Sequence, residues 1–198
     1  MIPDAISVRA LRGADLDASV EAVAALRSAV FRDWPYLYDG VPEFERQYIA
    51  TYRDQPGALL VAAFDGARLI GASTSTLMED HSEAFAGLFA GLGIAVSDVL
   101  YGAESVLLPA YRGIGLGHRF IDLREAHARA MGRGYVAFCA VKRPAGHPAR
   151  PADARSNAAF WQGRGYAALP GVEAAFAWKD IGDSEDSEKK LQFWLRKL

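Results

Sequence analysis

The feature that most constrains how this chain folds is a turn near its middle. Residues 99–108 make a strand-like, mostly apolar run that Pro109 ends. Arg112-Gly113-Ile114-Gly115-Leu116-Gly117 follows, and Leu116, Phe120, Leu123, His127 and Ala130 then recur at helical spacing until Gly132 and Gly134 stop the helix. Three glycines between a strand end and a helix start let the backbone take positive φ and let another group approach closely. Several amides then converge beside the positive end of the helix dipole, which suits a phosphate or pyrophosphate. Glycine spacing alone leaves a tight structural connector equally open. It does exclude two phosphate loops. A dinucleotide fingerprint needs its third glycine three residues after the second, and here it comes after two. A Walker A loop ends in Gly-Lys-Ser/Thr, whereas this turn runs into Gly117-His118-Arg119.

Around this turn the chain alternates strands and helices. Ile6-Ser7-Val8-Arg9 reads as a first strand, and Asp15 or Asp17 caps a helix to about residue 31 with Leu16, Val20, Val23, Leu26 and Val30 on one face. An aromatic loop with Trp34, Tyr36 and Tyr38 precedes a second helix over 43–52. Two strands at 59–64 and 67–75 flank Asp65-Gly66, a hairpin turn signal. Residues 78–98 read as a helix-and-loop insertion with an acidic start (Glu79, Asp80, Glu83) and an apolar stretch from 84 to 96. After the glycine helix, 135–141 is a nearly continuous apolar run, as for a buried strand, so strand, helix and strand make a parallel unit with a right-handed crossover. A proline-rich loop, a helix over 152–162 and two closing strands at 172–180 and 190–195 complete the pattern.

The 198 residues, 51% of them hydrophobic, suit one domain, 1–198, with the insertion at 78–98. A net charge of −2 and the absence of a basic stripe give no field for nucleic acid. One cysteine, Cys139, and four scattered histidines offer no disulfide and no metal-ligand spacing. The first residues lack the basic and apolar parts of a secretory signal, and the apolar stretch at 84–96 is shorter than the roughly 20 residues that cross a bilayer. The expectation is a cytoplasmic protein that engages neither membrane nor nucleic acid.

The segment Pro109-Ala110-Tyr111-Arg112-Gly113-Ile114-Gly115-Leu116-Gly117 resembles the signature of the GNAT acyltransferase superfamily: Arg or Gln, two residues, Gly, one residue, Gly or Ala, soon after a proline-ended strand. Arg112, Gly115 and Gly117 fill its three defining positions. The order of elements is similar to the family's over nearly the whole chain, and residues 191–198 resemble its last strand. The resemblance implies an α/β fold with a mixed, mostly antiparallel central sheet, a splayed parallel strand pair and flanking helices. It implies acetyl-coenzyme A as cosubstrate, with no metal. The backbone from Arg112 through Gly113, Ile114, Gly115, Leu116 and Gly117 to His118 would hold its pyrophosphate. The pantetheine arm would pair with the strand edge at Val106, Leu107 and Leu108 like an added strand. The implied reaction moves an acetyl group to a primary amine of a small molecule or peptide.

Glu104, five residues before Pro109, is the candidate base, because a carboxylate in an apolar strand is costly unless it is paired or faces a cleft. Desolvation would raise its pKa toward a useful range, and a structural salt bridge is the alternative. In many relatives the helix after the second parallel strand carries an Asn and, seven residues on, a Tyr that protonates the leaving thiolate. Counting back from Gly165-Tyr166 puts these positions on Ala154 and Trp161, so the pattern fails there, with Asn157 out of register. Tyr101, Tyr111 or solvent would have to substitute. That departure keeps open a silent acyl-coenzyme A sensor, as well as an enzyme using another acyl group or an alcohol acceptor. Trp34, Tyr36 and Tyr38 are candidates for the acceptor wall, with Glu79, Asp80 and Glu83 as attractors of a cationic amine. Cys139 reads as a core residue. Lys142, Arg143, His147, Arg150 and Arg155 form a basic loop whose bland reading is solvation. The stretch at 84–96 is either a lid or a homodimer contact.

Overall fold

In a computed structural model of the chain, described for residues 2–81, 85, 87–89 and 91–198, every strand joins one seven-stranded sheet of order β1-β2-β3-β4-β5-β7-β6. The strands are β1 (Ile6–Leu11), β2 (Leu59–Asp65), β3 (Arg68–Leu77), β4 (Val99–Leu107), β5 (Tyr135–Val141), β6 (Ala167–Trp178) and β7 (Ser187–Lys197). All neighbours are antiparallel except β4 and β5, which are parallel, as the strand–helix–strand pattern predicts. The helices are α1 (Gly13–Asp17), α2 (Val20–Phe31), α3 (Pro42–Ala50), α4 (Leu116–Ala130) and α5 (Ala158–Gly163).

Period-two alternation divides the core between the two faces of the sheet. Leu60, Ala62, Ala72 and Val106 pack with Val23, Leu26 and Phe31 of α2 and Ile49 of α3. Leu59, Val61, Ala63 and Ile70 turn the other way, onto Leu116 and Phe120 of α4. The parallel pair β4–β5 is short. Only Val99–Tyr135, Leu100–Val136 and Tyr101–Ala137 are in register, and beyond Tyr101 the strands part. The cause is a bulge in β4. Thr74 of β3 faces Glu104 and Thr76 faces Tyr101, so three β4 residues are spanned while β3 advances two. An inserted residue bends its strand and raises its twist. Gly102 sits in that bulge, where a Cβ would lie 2.7 Å from the Arg124 guanidinium of α4.

Several elements differ from expectation. The first helix is broken after Asp17, and the Ser19 hydroxyl donates to the Asp15 carbonyl at 2.8 Å, a local bond that competes with helix continuation. The helix expected over 152–162 covers only Ala158–Gly163, because the polar run before it turns on itself: Ala154 N–H bonds Pro151 O, and Ser156 Oγ accepts the Ala158 N–H. The closing strands are longer than expected, since β7 runs through polar Ser187 to Lys190, paired by backbone with β6 and tied down by the buried Lys189 ammonium on Trp178 O and Asp180. In the 78–98 segment, Phe85 and Phe89 are buried in a second core with Tyr101, Cys139 and Phe193. These two rings serve the interior rather than a lid or a partner surface. Glu83 and Ala84 lie outside the described residues. No helix among the described residues is long and apolar enough to cross a membrane.

Candidate active site

The parting of β4 and β5 opens a cleft of ≈ 840 Å³, bounded by the 34–36 loop, the glycine turn, α4 and α5. At one end the turn has the form its glycines predict. Gly113 and Gly115 have φ of 81° and 102°, values L side chains rarely adopt. A Cβ at Gly113 would meet nothing within 4 Å, and at Gly115 only Ile2 at 3.6 Å. The first bond of α4 runs from Arg119 N–H to Gly115 O at 3.1 Å. The amides of Leu116, Gly117 and His118 therefore lack intrahelical partners and stand at the positive end of a fifteen-residue helix. The side chains of Leu116 and Ile114 pack into the core, so only their backbone is available to a ligand. Arg112 turns back, its Nε donating to Leu107 O at 3.2 Å.

Along β4 the backbone groups alternate between neighbours. Leu108 N–H is committed to Ile70 O at 3.0 Å, and Val106 lies opposite Ala72 with its side chain fully buried. The edge facing the cleft is thus presented by Ser105 and Leu107. Of the three edge residues the resemblance implied, Leu107 is the one whose backbone faces the opening; Ser105 was missed. A carbonyl has two lone pairs, so Leu107 O accepts from Arg112 and keeps one site free.

Glu104 is almost fully buried where the strands part. Oε1 pairs with Nη1 of Arg27, whose Nε also reaches Glu45 Oε2 at 2.6 Å. Tyr48 donates to the other Glu104 oxygen, Oε2, at 3.4 Å. Burial alone would lower the Arg27 pKa, but Glu104, Tyr48 and Glu45 together hold it above its ordinary value. One buried cation therefore faces two buried carboxylates. The salt-bridge alternative for Glu104 is present, and the same residue is part of the cleft lining.

Arg124 lies on the other side of β4. Its guanidinium donates to Ser75 Oγ at 3.0 Å, Ser73 Oγ at 2.8 Å, Ser105 Oγ at 3.0 Å and Glu104 O at 2.9 Å. These bonds tie the bulge to α4. Both arginines escaped the sequence reading, although each left a signal. Arg27 falls on the Val20, Val23, Val30 stripe, and Arg124 follows Phe120 by four residues on the face that buries Leu116, Phe120 and Ala128.

Of the acceptor-wall candidates, Trp34 and Tyr36 line the cleft, with burial pushing the Tyr36 phenol up. Tyr38 does not line it. Tyr38 pairs by backbone with Asp180, and burial followed by the nearby Glu45 pushes its phenol up to about 12. The wall is held by Arg143, which donates to Pro35 O at 2.8 Å and to Tyr36 O at 2.6 Å and grips both Asp180 oxygens at 2.6 and 2.9 Å. Lys142 pairs with Glu173, and His147 packs on Trp34 at 5.3 Å, so much of the basic loop has structural partners. Glu79 pairs with Arg133, Asp80 accepts from Gln55, and neither lines the cleft. Tyr111 donates to Asp65, which removes it from the cleft. Trp161 lines the cleft against Phe138 at 5.1 Å and Trp194 at 5.0 Å and has no hydroxyl. Cys139 lies 3.2 Å from Tyr101 Oη, and burial pushes its thiol up to about 11, so it is a neutral thiol and a poor nucleophile at pH 7. Among the described residues no group of three or more His, Cys, Asp or Glu is placed to hold a metal.

The Asp180–Arg143 contact makes a pH prediction. Burial would raise the Asp180 pKa, but Arg143 and Lys189 outweigh it and hold it below the ordinary value. A depressed folded pKa gives stability that is present above the unfolded value of about 3.9 and lost as pH falls through the lower, folded one. Asp180→Asn should therefore melt below the unmodified protein at pH 6, with the gap closing toward pH 3. A gap constant over that range in thermal melts would refute the assignment.

A bulged, mostly antiparallel sheet, a splayed parallel pair and a glycine turn at a helix N-terminus together form the architecture that the resemblance to the GNAT acyltransferases implies. The sequence model of the acetyltransferase (GNAT) family matches residues 23–152, and the chain belongs to that family. Solved structures of the same fold include an acetyltransferase from Streptococcus agalactiae (12% identity, 99% of this chain and 100% of that one, TM-score 0.63). Another is yncA from Salmonella typhimurium with acetyl-CoA (14%, 98% and 95%, 0.62). A third is the paia N-acetyltransferase from Thermoplasma acidophilum in complex with coenzyme A (13%, 98% and 99%, 0.52). No curated protein matches the chain significantly in sequence.

Proposed function

We propose that this protein binds acetyl-coenzyme A in the β4–β5 cleft and acetylates a primary amine of a small molecule or peptide, with Glu104 as base. The observation that carries the reading is the continuity of one cleft. It runs from the free amides at Gly115 to His118, past the open edge of Ser105 and Leu107, to the Glu104 carboxylate. The amides and helix dipole suit the pyrophosphate, and the strand edge suits the amides of the pantetheine arm. The Arg27–Glu45–Glu104 cluster has one positive and two negative groups, so it favours an ammonium over a neutral or anionic acceptor. Glu104 takes one proton from that ammonium, the neutral amine attacks the thioester carbonyl, the C–S bond of the tetrahedral adduct breaks, and the second proton shed by the nitrogen passes to the departing thiolate, directly or through solvent.

The test is free-thiol release from acetyl-coenzyme A across a panel of amines. Release with at least one amine, together with acetylated product, supports the reading. Coenzyme A binding by calorimetry with no release from any amine would overturn it in favour of a sensor, the reading that Trp161 in place of a phenol favours. The cofactor half has its own check. Gly115→Val should abolish detectable coenzyme A binding, because a side chain strained at φ 102° also stands among the pyrophosphate-binding amides. A parallel melt separates loss of the site from loss of the fold, and unchanged affinity would sink the site.

A further inference from the structure

We propose that Tyr48 and Tyr52 carry the proton collected by Glu104 out of the protein, into a second cavity that both residues line; this rests on the amine-acetylation reading above. The hydroxyls form a chain. Tyr48 Oη is 3.4 Å from Glu104 Oε2 and 2.8 Å from Tyr52 Oη, and Tyr52 donates to Thr74 Oγ1 at 3.2 Å. The rings meet edge to face, with centroids 5.6 Å apart, and the Arg27 guanidinium lies 4.4 Å over the Tyr48 ring, which fixes the chain in place. Both tyrosines line an open cavity of ≈ 380 Å³ bounded by Asp54, Gln55, Thr76 and His81, separate from the main cleft.

The need for such a route follows from the burial of Glu104. A base that gains one proton per turnover must lose it before the next, and its Oε1 is occupied by Arg27. Its direct path to water runs through the cleft that acceptor and thioester fill. The chain supplies another. Once Glu104 is protonated Tyr48 accepts from it instead of donating: the Glu104 Oε2–H bond breaks as a bond to Tyr48 Oη forms, the hydroxyl proton of Tyr48 passes to Tyr52, and that of Tyr52, turned away from Thr74, passes to water in the second cavity. The hydroxyls then rotate back. One proton leaves Glu104, one reaches solvent, and no electrons move. Burial, followed by the charge of Glu104, holds both phenols above their ordinary pKa, so each is protonated at neutral pH and ready to give as it takes. Thr74 Oγ1 anchors the outer hydroxyl.

The experiment compares Tyr48→Phe, Tyr52→Phe and the double variant in the full chain, using the amine of the panel that releases thiol fastest. Coenzyme A affinity by calorimetry serves as the fold control. A relay is broken once, so each single change should lower kcat about tenfold, and the double should fall no further than the worse single. Imidazole at rising concentration should restore turnover by taking the proton from within the cavity. Multiplying losses without rescue, or an unchanged Tyr52→Phe, would overturn the relay. Should either variant lose coenzyme A affinity, the proton inventory of the unmodified enzyme decides. A curved dependence of kcat on deuterium fraction supports several protons in flight, and a linear one overturns it. Glu104→Gln separates the two levels. If it turns over like the unmodified enzyme, the base assignment itself falls, and the relay with it. If it is inactive while the tyrosine variants are normal, only the relay falls.

Discussion

Glu104→Gln is expected to lower kcat for amine acetylation by about 10²- to 10⁴-fold, the usual range for removing a general base, while coenzyme A affinity changes little. The separation follows from geometry. The carboxylate stands where β4 leaves β5, whereas the amides at Leu116 to His118 lie beyond Pro109 on a different element. Glutamine keeps the shape and leaves Arg27 its bond to Glu45, so the fold should survive with a lower melting temperature. Steady-state thiol release beside calorimetry reads both quantities. A variant that loses binding and turnover together would mean that Glu104 supports the cleft rather than the chemistry.

Arg27→Met is expected to be the most destabilising single change near the site, by about 3–5 kcal/mol, the usual cost of removing one partner from a buried ion pair. Its side chain is 8% exposed, and those of its partners Glu45 and Glu104 are 0% and 9% exposed. Without the guanidinium two carboxylates share one buried site, and burial and like charge both favour protonation. The loss should therefore be greatest near pH 8 and shrink toward pH 5, as protons replace the missing cation. Urea melts across that range measure it. A loss that stays constant with pH would mean that Arg27 contributes through its packing on Phe31 and Tyr48 and not through its charge. Replacing all three charged residues with apolar ones should recover much of the stability while abolishing turnover, since the cluster's desolvation cost would vanish with its chemistry.

The placing of Arg27 shows how sequence and structure divided the site. Helical spacing from Val20 to Val30 identified the buried face of α2 but passed over the arginine on it, because a lone charge in a stripe reads first as a break. Glu45 is the parallel case, on one face of α3 and the following turn with Ile49 and Tyr52. Each is unfavourable to bury alone, and they are explained only as a pair, eighteen residues apart in the chain. Glu104 was legible because a single carboxylate in an apolar strand is conspicuous, but its partners were not. Of the three loop aromatics, Trp34 and Tyr36 line the cleft, whereas Tyr38 does not. Consecutive loop residues point in directions set by distant contacts, here the backbone bonds to Lys179, Asp180 and Ile181.

What the sequence determined by itself was local or periodic. The glycines at 113 and 115 take a turn few other residues can make, Pro109 ends the strand before it, and alternation and helical spacing place β2 to β5 and α4. From these follows the parallel pair, and the resemblance of the turn to the GNAT signature implies the mixed sheet and the family. What only the tertiary structure decided was which polar groups meet. The bulge that parts β4 from β5 comes from the register against β3 and from Arg124 beneath Gly102. Glu104 gains its counter-ion from α2 and its hydroxyl chain from α3 and the turn after it, beside a cavity that Tyr48, Tyr52, Thr76 and His81 line. Backbone conformation is set by each residue and its neighbours, so it is written along the chain. The pairing of buried charges depends on segments brought together by the hydrophobic core, and a linear pattern carries no record of those distances.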